Sequence, residues 1–280
     1  MKPHLRSLPL LAFALCLASA ALPARGGDTV SFGVVTDIQY GDKDSRGPRK
    51  YRKSLKKLPA CVATFNARPL DFVIELGDLM DGYRSDEARS LQDLDRVLPL
   101  LRGIKAPLYY VIGNHCMNGG RAAVIQRLGL KTPYYEFTRP TAPGWRFVVL
   151  DGTLAGYGVL GPEQEAWLRT TLEKADKAGE RVICFCHMPV LQPEGQHHGM
   201  QKPELLAALL RQYRCVAAWF SGHDHQGGYI LADGIHYLNF KGMVEAKNNA
   251  YAIVTLEADR IRVEGFGDEP SRELKLPPRK

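Results

Sequence analysis

Five apolar runs in this chain each stop on residues able to hold a cation. Val34-Val35-Thr36 leads into Asp37-Ile38-Gln39, and Ile74-Glu75-Leu76 leads into Gly77-Asp78-Leu79-Met80-Asp81-Gly82. Tyr110-Val111-Ile112 leads into Gly113-Asn114-His115-Cys116. Cys184-Phe185-Cys186 leads into His187-Met188-Pro189, and Trp219-Phe220-Ser221 leads into Gly222-His223-Asp224-His225. Short, nearly continuous apolar runs are what strands covered on both faces look like. Ligands of α/β sheets gather just past the carboxyl ends of such strands. Donors spread from Asp37 to His225 can meet only if one domain holds them all. A single Asp or Gly-Asn after a strand is ordinary turn chemistry. Five such endings in one chain are a pattern.

The rest of the chain fits that frame. Strands are predicted at Val30–Thr36, Asp71–Leu76, Pro107–Ile112, Arg146–Leu150, Arg181–Cys186 and Val216–Phe220. Helical spacing joins Tyr51, Leu55, Leu58, Val62 and Phe65. A second helix runs from Pro162 to Ala178 and stops at Gly179, and a third from Pro203 to Tyr213 carries Leu205, Leu206, Leu209 and Leu210 on one face. Ile235–Phe240, Ala250–Leu256 and Arg260–Gly265 follow without helices and read as a terminal antiparallel meander. The expected class is a single α/β domain over residues 26–280.

Residues 1–25 stand outside that domain. Lys2 and Arg6 precede an apolar stretch from Leu8 to Leu22, with small residues at Ala18-Ser19-Ala20 and Leu22-Pro23-Ala24. This reads as a cleavable signal peptide, which places the mature protein in the periplasm or outside the cell. Leu15 before Cys16 does not suit lipidation. No other apolar run is long enough to span a bilayer, so no transmembrane segment is expected in the mature chain. Five cysteines remain after the leader, too few and too odd for a disulfide framework.

Seven oxygen and nitrogen donors are available: Asp37, Gln39, Asp78, Asn114, His187, His223 and His225. They exceed the need of one tetrahedral ion and suit two divalent ions sharing a carboxylate, with Asp78 the natural bridge at its glycine turn. Imidazole, carboxylate and amide without thiolate point to Mn, Mg, Fe, Co or Zn. The formal charge of +7 is modest. Seven of the twelve residues from Arg46 to Lys57 are basic. Lys53, Lys56 and Lys57 fit the solvated side of a helix, while Arg46 and Arg49 precede it and can face an anionic ligand. Without a basic-aromatic stripe, the charge favours a small phosphorylated substrate over a nucleic-acid polymer.

Together these motifs resemble the calcineurin-like metallophosphoesterase family over about residues 29–267. Its signature runs Asp-x-His, Gly-Asp-x-x-Asp, Gly-Asn-His-Asp/Glu, a lone His, then Gly-His-x-His. The resemblance implies two mixed β-sheets packed face to face and flanked by helices. It implies one metal on Asp37, Gln39, Asp78 and His225, and another on Asp78, Asn114, His187 and His223. His115 is then the catalytic His and Asp81 its hydrogen-bond partner. Two positions depart: Gln39 replaces His, and Cys116 replaces the acid. An amide oxygen at Gln39 favours Mn or Mg over Zn. Cys116 is either a reactive thiol or a spacer packed under the metals.

Asp37-Ile38-Gln39-Tyr40, the arginine-rich helix start, Gly77-Asp78-Leu79-Met80-Asp81-Gly82-Tyr83 and His225-Gln226-Gly227-Gly228-Tyr229 look like the manganese-dependent ADP-ribose/CDP-alcohol diphosphatase branch. The implied reaction is metal-assisted hydrolysis of a phosphoanhydride or phosphodiester in a nucleoside-diphosphate-linked sugar or alcohol. Tyr83 and Tyr229 are either stacking platforms for that substrate or packed aromatics. His197 and His198 either flank the mouth of the site or form a surface pair. Two other functions remain: a broad extracytoplasmic phosphomonoesterase/phosphodiesterase, and a non-catalytic metal-binding interaction protein.

Overall fold

The computed structural model describes residues 29–196 and 198–278. The leader expected at residues 1–25 and His197 lie outside the described residues. The first half of the chain supplies β1 (Val30–Val35), α1 (Tyr51–Asn66), β2 (Phe72–Glu75), α2 (Glu87–Leu101), β3 (Leu108–Tyr110) and α3 (Arg121–Leu128). There follow β4 (Tyr135–Phe137), β5 (Trp145–Leu150), α4 (Pro162–Lys177), β6 (Arg181–Cys186), α5 (Pro203–Leu210) and β7 (Val216–Ser221). The chain ends with β8 (Gly228–Ala232), β9 (Ile235–Asn239), β10 (Ala250–Leu256), β11 (Arg260–Gly267) and β12 (Arg272–Lys275).

These strands form two mixed six-stranded sheets, ordered β12-β11-β10-β1-β2-β3 and β4-β5-β6-β7-β9-β8. In the first, β1, β2 and β3 run parallel and β10 pairs antiparallel with β1. In the second, β5, β6, β7 and β9 run parallel. Parallel order puts the carboxyl ends of the motif-bearing strands on one edge of each sheet, which is what assembles the site.

Period-two alternation splits each strand between two cores. Phe32, Val34 and Ile74 face the other sheet, while Val35 and Val73 face α1 and α2. On the far side α4 and α5 cover Val148, Cys184 and Trp219. Between the sheets, Phe32 stacks on Phe72 at 4.5 Å and meets Phe147 and Phe185 edge-on at 6.0 and 5.8 Å. Phe32 thus ties both sheets together and is fully buried. Phe32→Ala is expected to cost about 3–5 kcal/mol through lost transfer and a cavity. Urea unfolding measures this, and a cost below about 1 kcal/mol would contradict this central packing.

Three expectations change. The last strands are not one meander: β9 lies parallel to β7 in the second sheet, whereas β10 and β11 join β1 in the first. Alternation marks a strand but not its neighbour, and the segment between β9 and β10 crosses from one sheet to the other. Leu205 is 61% exposed rather than packed, because the helical turn that directs Leu206, Leu209 and Leu210 inward leaves Leu205 to one side of that face. Lys57 is not on a solvated face: its Nζ donates to the carbonyls of Met243 and Ala246 at 2.6 and 2.5 Å. It thereby pins that crossing segment to α1. All five described cysteines are buried and free.

Candidate metal centre

Among the described residues, six non-glycine residues have positive φ, and four of them are Asp37, Gln39, Asp78 and His223. A left-handed backbone costs a side-chain-bearing residue about 1–3 kcal/mol, and it persists only where surrounding structure enforces it. Here the enforcement is backbone pairing between the loops after β1 and β2: Asp37 N donates to Gly77 O at 3.0 Å and Gln39 N to Asp78 O at 2.7 Å. Gly222, after β7, packs directly on the first loop. A Cβ there would lie 2.0 Å from Thr36 Oγ1 and 2.6 Å from Asp37 Oδ2. The close approach explains why the residue before His223 is glycine.

Asp78 is fully buried at the centre of the cluster. Its Oδ1 accepts from His115 N at 2.7 Å, and its Oδ2 lies 3.0 Å from His187 Nε2 and 3.2 Å from Gln39 Nε2. His187 Nδ1 sits 2.9 Å from Leu76 O, a contact that requires the proton on Nδ1 and turns Nε2 towards Asp78. His223 Nδ1 is 3.3 Å from that same Nε2. One ligand atom each from Asp78, His187 and His223 therefore converges on a common point able to hold a metal ion.

An imidazole nitrogen this close to a carboxylate oxygen needs a positive charge between them, a proton or a cation. Burial disfavours a cationic His187, yet Asp78 and Asp37 push its imidazole up to about 9. Burial and the neighbouring His187 push His223 down to about 3. Burial also opposes ionisation of Asp78, but His187 and His115 hold its carboxyl well below the usual range.

A second group of donors lies alongside. His225 Nε2 is 3.2 Å from Asp37 Oδ1, and its Nδ1 is 2.7 Å from Glu245 Oε1. Burial again disfavours charge, and Asp37 with Glu245 pushes this imidazole up to about 10. Among the described residues, the buried oxygens Gln39 Oε1 and Asn114 Oδ1 find no hydrogen-bond partner. An orphaned buried acceptor costs about 1–3 kcal/mol. Two in one cluster of carboxylates and imidazoles fit cation ligands.

His115 lines the mouth of a cleft of about 350 Å³, together with Arg49, Asn114, Tyr157, His198, His223 and His225. Its Nδ1 lies 2.7 Å from the Asp81 carbonyl and 3.2 Å from Asp81 Oδ1, so both backbone and carboxylate of Asp81 meet it. Arg49 reaches this cleft and approaches Glu245 at 3.4 Å. Arg46 does not line it; it is exposed and pairs with Arg49 through the backbone alone. Tyr83 is absent from the lining and sits between Lys43 at 4.7 Å and Arg89 at 4.1 Å. Tyr229 is likewise outside: its hydroxyl engages His236 Nδ1 at 2.9 Å on the edge strand β8. Cys116 is buried, and burial together with Asp78 pushes its thiol well above the ordinary range, which leaves no thiolate for nucleophilic work.

Four contributors escaped the sequence reading. Glu245 orients His225, and Lys43 pairs with the Asp81 carboxylate while donating to Gly82 O at 2.8 Å. Glu75 is wholly buried, and burial pushes its carboxyl well above the usual carboxylate range. Tyr157 touches His223. Glu245, Lys43 and Tyr157 lie outside the strand-end motifs, and Glu75, the last residue of β2, reads in the sequence only as part of an apolar run.

A sequence model of the calcineurin-like phosphoesterase family matches residues 30–227. The manganese-dependent ADP-ribose/CDP-alcohol diphosphatase of Oryza sativa subsp. japonica is 28% identical over 306 residues, covering 89% of this chain and 94% of that protein. The Arabidopsis thaliana protein of the same name is 28% identical over 278 residues, with 79% and 88% covered. A dimetal phosphatase from Danio rerio has the same fold, with a TM-score of 0.80 at 24% identity over 89% of this chain and 99% of that one. No helix among the described residues is long and apolar enough to cross a membrane. With the family match covering most of its length around a cluster able to hold a metal ion, the chain belongs to the calcineurin-like phosphoesterases and is a metal-dependent hydrolase.

Proposed function

We propose that this phosphoesterase holds two divalent cations, manganese by preference, and hydrolyses the pyrophosphate link of a nucleoside diphosphate joined to a sugar or alcohol. The observation carrying the two-cation reading is the pair of orphaned buried amide oxygens, Gln39 Oε1 and Asn114 Oδ1, which adds two unspent donors to the Asp78 set. Asp37, Gln39, Asp78 and His225 would hold one cation, and Asp78, Asn114, His187 and His223 the other. Bound there, the cations supply Lewis acidity, which neutralises phosphoryl oxygens and acidifies water. Glu245 and the Leu76 carbonyl fix the tautomers of His225 and His187, as partners of ligating imidazoles do. The contact with Asp81 places the His115 Nδ1 proton, which leaves Nε2 free to serve a leaving or phosphoryl oxygen. Arg49 at the cleft wall offers a cation to the second phosphate.

The names of the rice and Arabidopsis relatives support this substrate class and this metal. The basic-apolar leader at residues 1–25 supports action outside the cytoplasm, which also favours a broader phosphomonoesterase or phosphodiesterase as the second reading. One assay separates them. Metal-stripped protein is reloaded with Mn, Mg or Zn and offered ADP-ribose, CDP-choline, bis(4-nitrophenyl) phosphate and 4-nitrophenyl phosphate. Turnover of the two diphosphates at least about tenfold above the esters, highest with Mn, is expected; a tenfold preference corresponds to about 1.4 kcal/mol at the transition state. Turnover of the monoester alone sinks the diphosphatase reading.

A further inference from the structure

The loop between β5 and α4 is more tightly held than a surface connection needs to be. Asp151 at its start is fully buried and accepts from Thr153 N at 2.8 Å, Thr153 Oγ1 at 2.7 Å and the Arg121 guanidinium. Gln164 ties the two ends together: its Oε1 accepts from Asp151 N at 2.8 Å, and its Nε2 donates to Asp151 O and Leu160 O, each at 2.9 Å. Gln201 grips the tip, donating its side chain to Tyr157 O and its backbone N–H to Gly158 O, each at 2.8 Å. A Cβ on Gly158 would lie 2.7 Å from Gly199 O, so the two backbones cross where only glycine fits.

All this scaffolding presents one side chain that contributes little to any core. Tyr157 is 46% exposed. Its ring meets the His223 imidazole edge-on at 5.5 Å, and its hydroxyl is 2.5 Å from His223 Nε2. The opposite ring nitrogen, Nδ1, is the one that converges with Asp78 and His187. A neutral imidazole with its Nδ1 lone pair directed at a cation must carry its proton on Nε2. The Tyr157 oxygen is the acceptor within reach of that proton.

We propose that Tyr157 is a positioning residue for His223: it accepts the Nε2 proton and so selects the tautomer that turns Nδ1 towards the cation. The proposal rests on the metal-centre reading above. It gives His223 the same kind of outer partner that His187 has in the Leu76 carbonyl and His225 in Glu245. All three imidazoles of the centre would then be locked from behind by an oxygen, each from a different part of the chain. Tyr157 differs from the other two in being half-exposed on a surface loop.

The test is Tyr157→Phe, which keeps the ring and removes only the acceptor. Mn(II) binding to metal-stripped protein, followed calorimetrically, is expected to weaken about tenfold, the lower end of what outer partners of metal ligands contribute. Thermal unfolding of the metal-free protein should move little. In zinc-loaded protein the His223 Nε2 proton, read by nitrogen-15 imidazole spectra, should be protected from solvent exchange in the wild type and exchange faster in the variant. Equal Mn affinity in both proteins, or equal proton exchange, overturns the positioning role while leaving the metal centre standing. Failure of the wild type itself to bind Mn removes both readings together.

Discussion

Asp78→Asn is expected to remove cation binding and catalysis together while leaving the fold intact. The substitution keeps size and shape, and the amide oxygen can still accept from His115 N, the 2.7 Å bond that ties the 3₁₀ turn after β3 to the loop after β2. The new amide N–H can face His187 Nε2, now 3.0 Å from the carboxylate. What disappears is the one negative charge that both proposed cation positions share. A buried carboxylate held ionised by His187 and His115 is a strong cation ligand, and its neutral isostere is a weak one. Mn affinity should therefore fall by more than about 100-fold, beyond the range that outer-shell changes produce. Turnover should fall by about 10³-fold or more, since loss of about 4 kcal/mol of charge stabilisation is that large a factor. Calorimetry with Mn, metal content after reloading, and the rate with the preferred diphosphate check this. Wild-type Mn affinity in a folded variant would show that Asp78 does not join the two donor groups.

Much of this centre could be read from strand ends, because its donors sit within four residues of apolar runs. Parallel strands then deliver them to one edge without any knowledge of pairing. For Glu245, Lys43 and Tyr157 the reading stopped because they lie far from a strand end. Glu245 lies in the crossing between β9 and β10, and a chain expected to meander had no reason to bring it to His225. Lys43 and Tyr157 come from loops whose paths are set by Asp81 and Gln201. Their signals are tertiary. Tyr83 and Tyr229 show the converse: both flank motifs in sequence, yet one lies between cations of the 41–50 segment and α2, and the other on β8. Adjacency to a motif says little once the chain turns at a positive-φ glycine, as it does at Gly82 and Gly227.

His115→Ala should separate chemistry from metal binding. The imidazole lies at the cleft rim, with 22% of its side chain exposed, and only its backbone N–H touches Asp78. Removing the ring leaves that N–H in place, so Mn affinity and metal content should stay within about threefold of wild type. The catalytic loss should be about 10²–10⁴-fold, the usual range for a positioned general acid or base. Leaving-group dependence tells which task the ring performs. A proton donor matters most where the departing oxygen is strongly basic, so an alkyl phosphodiester should lose more than bis(4-nitrophenyl) phosphate. Equal losses would assign His115 to stabilising the phosphoryl oxygens instead. Unchanged turnover with every substrate would remove His115 from the reaction, and the contact between its Nδ1 and Asp81 would then serve only to brace the loop.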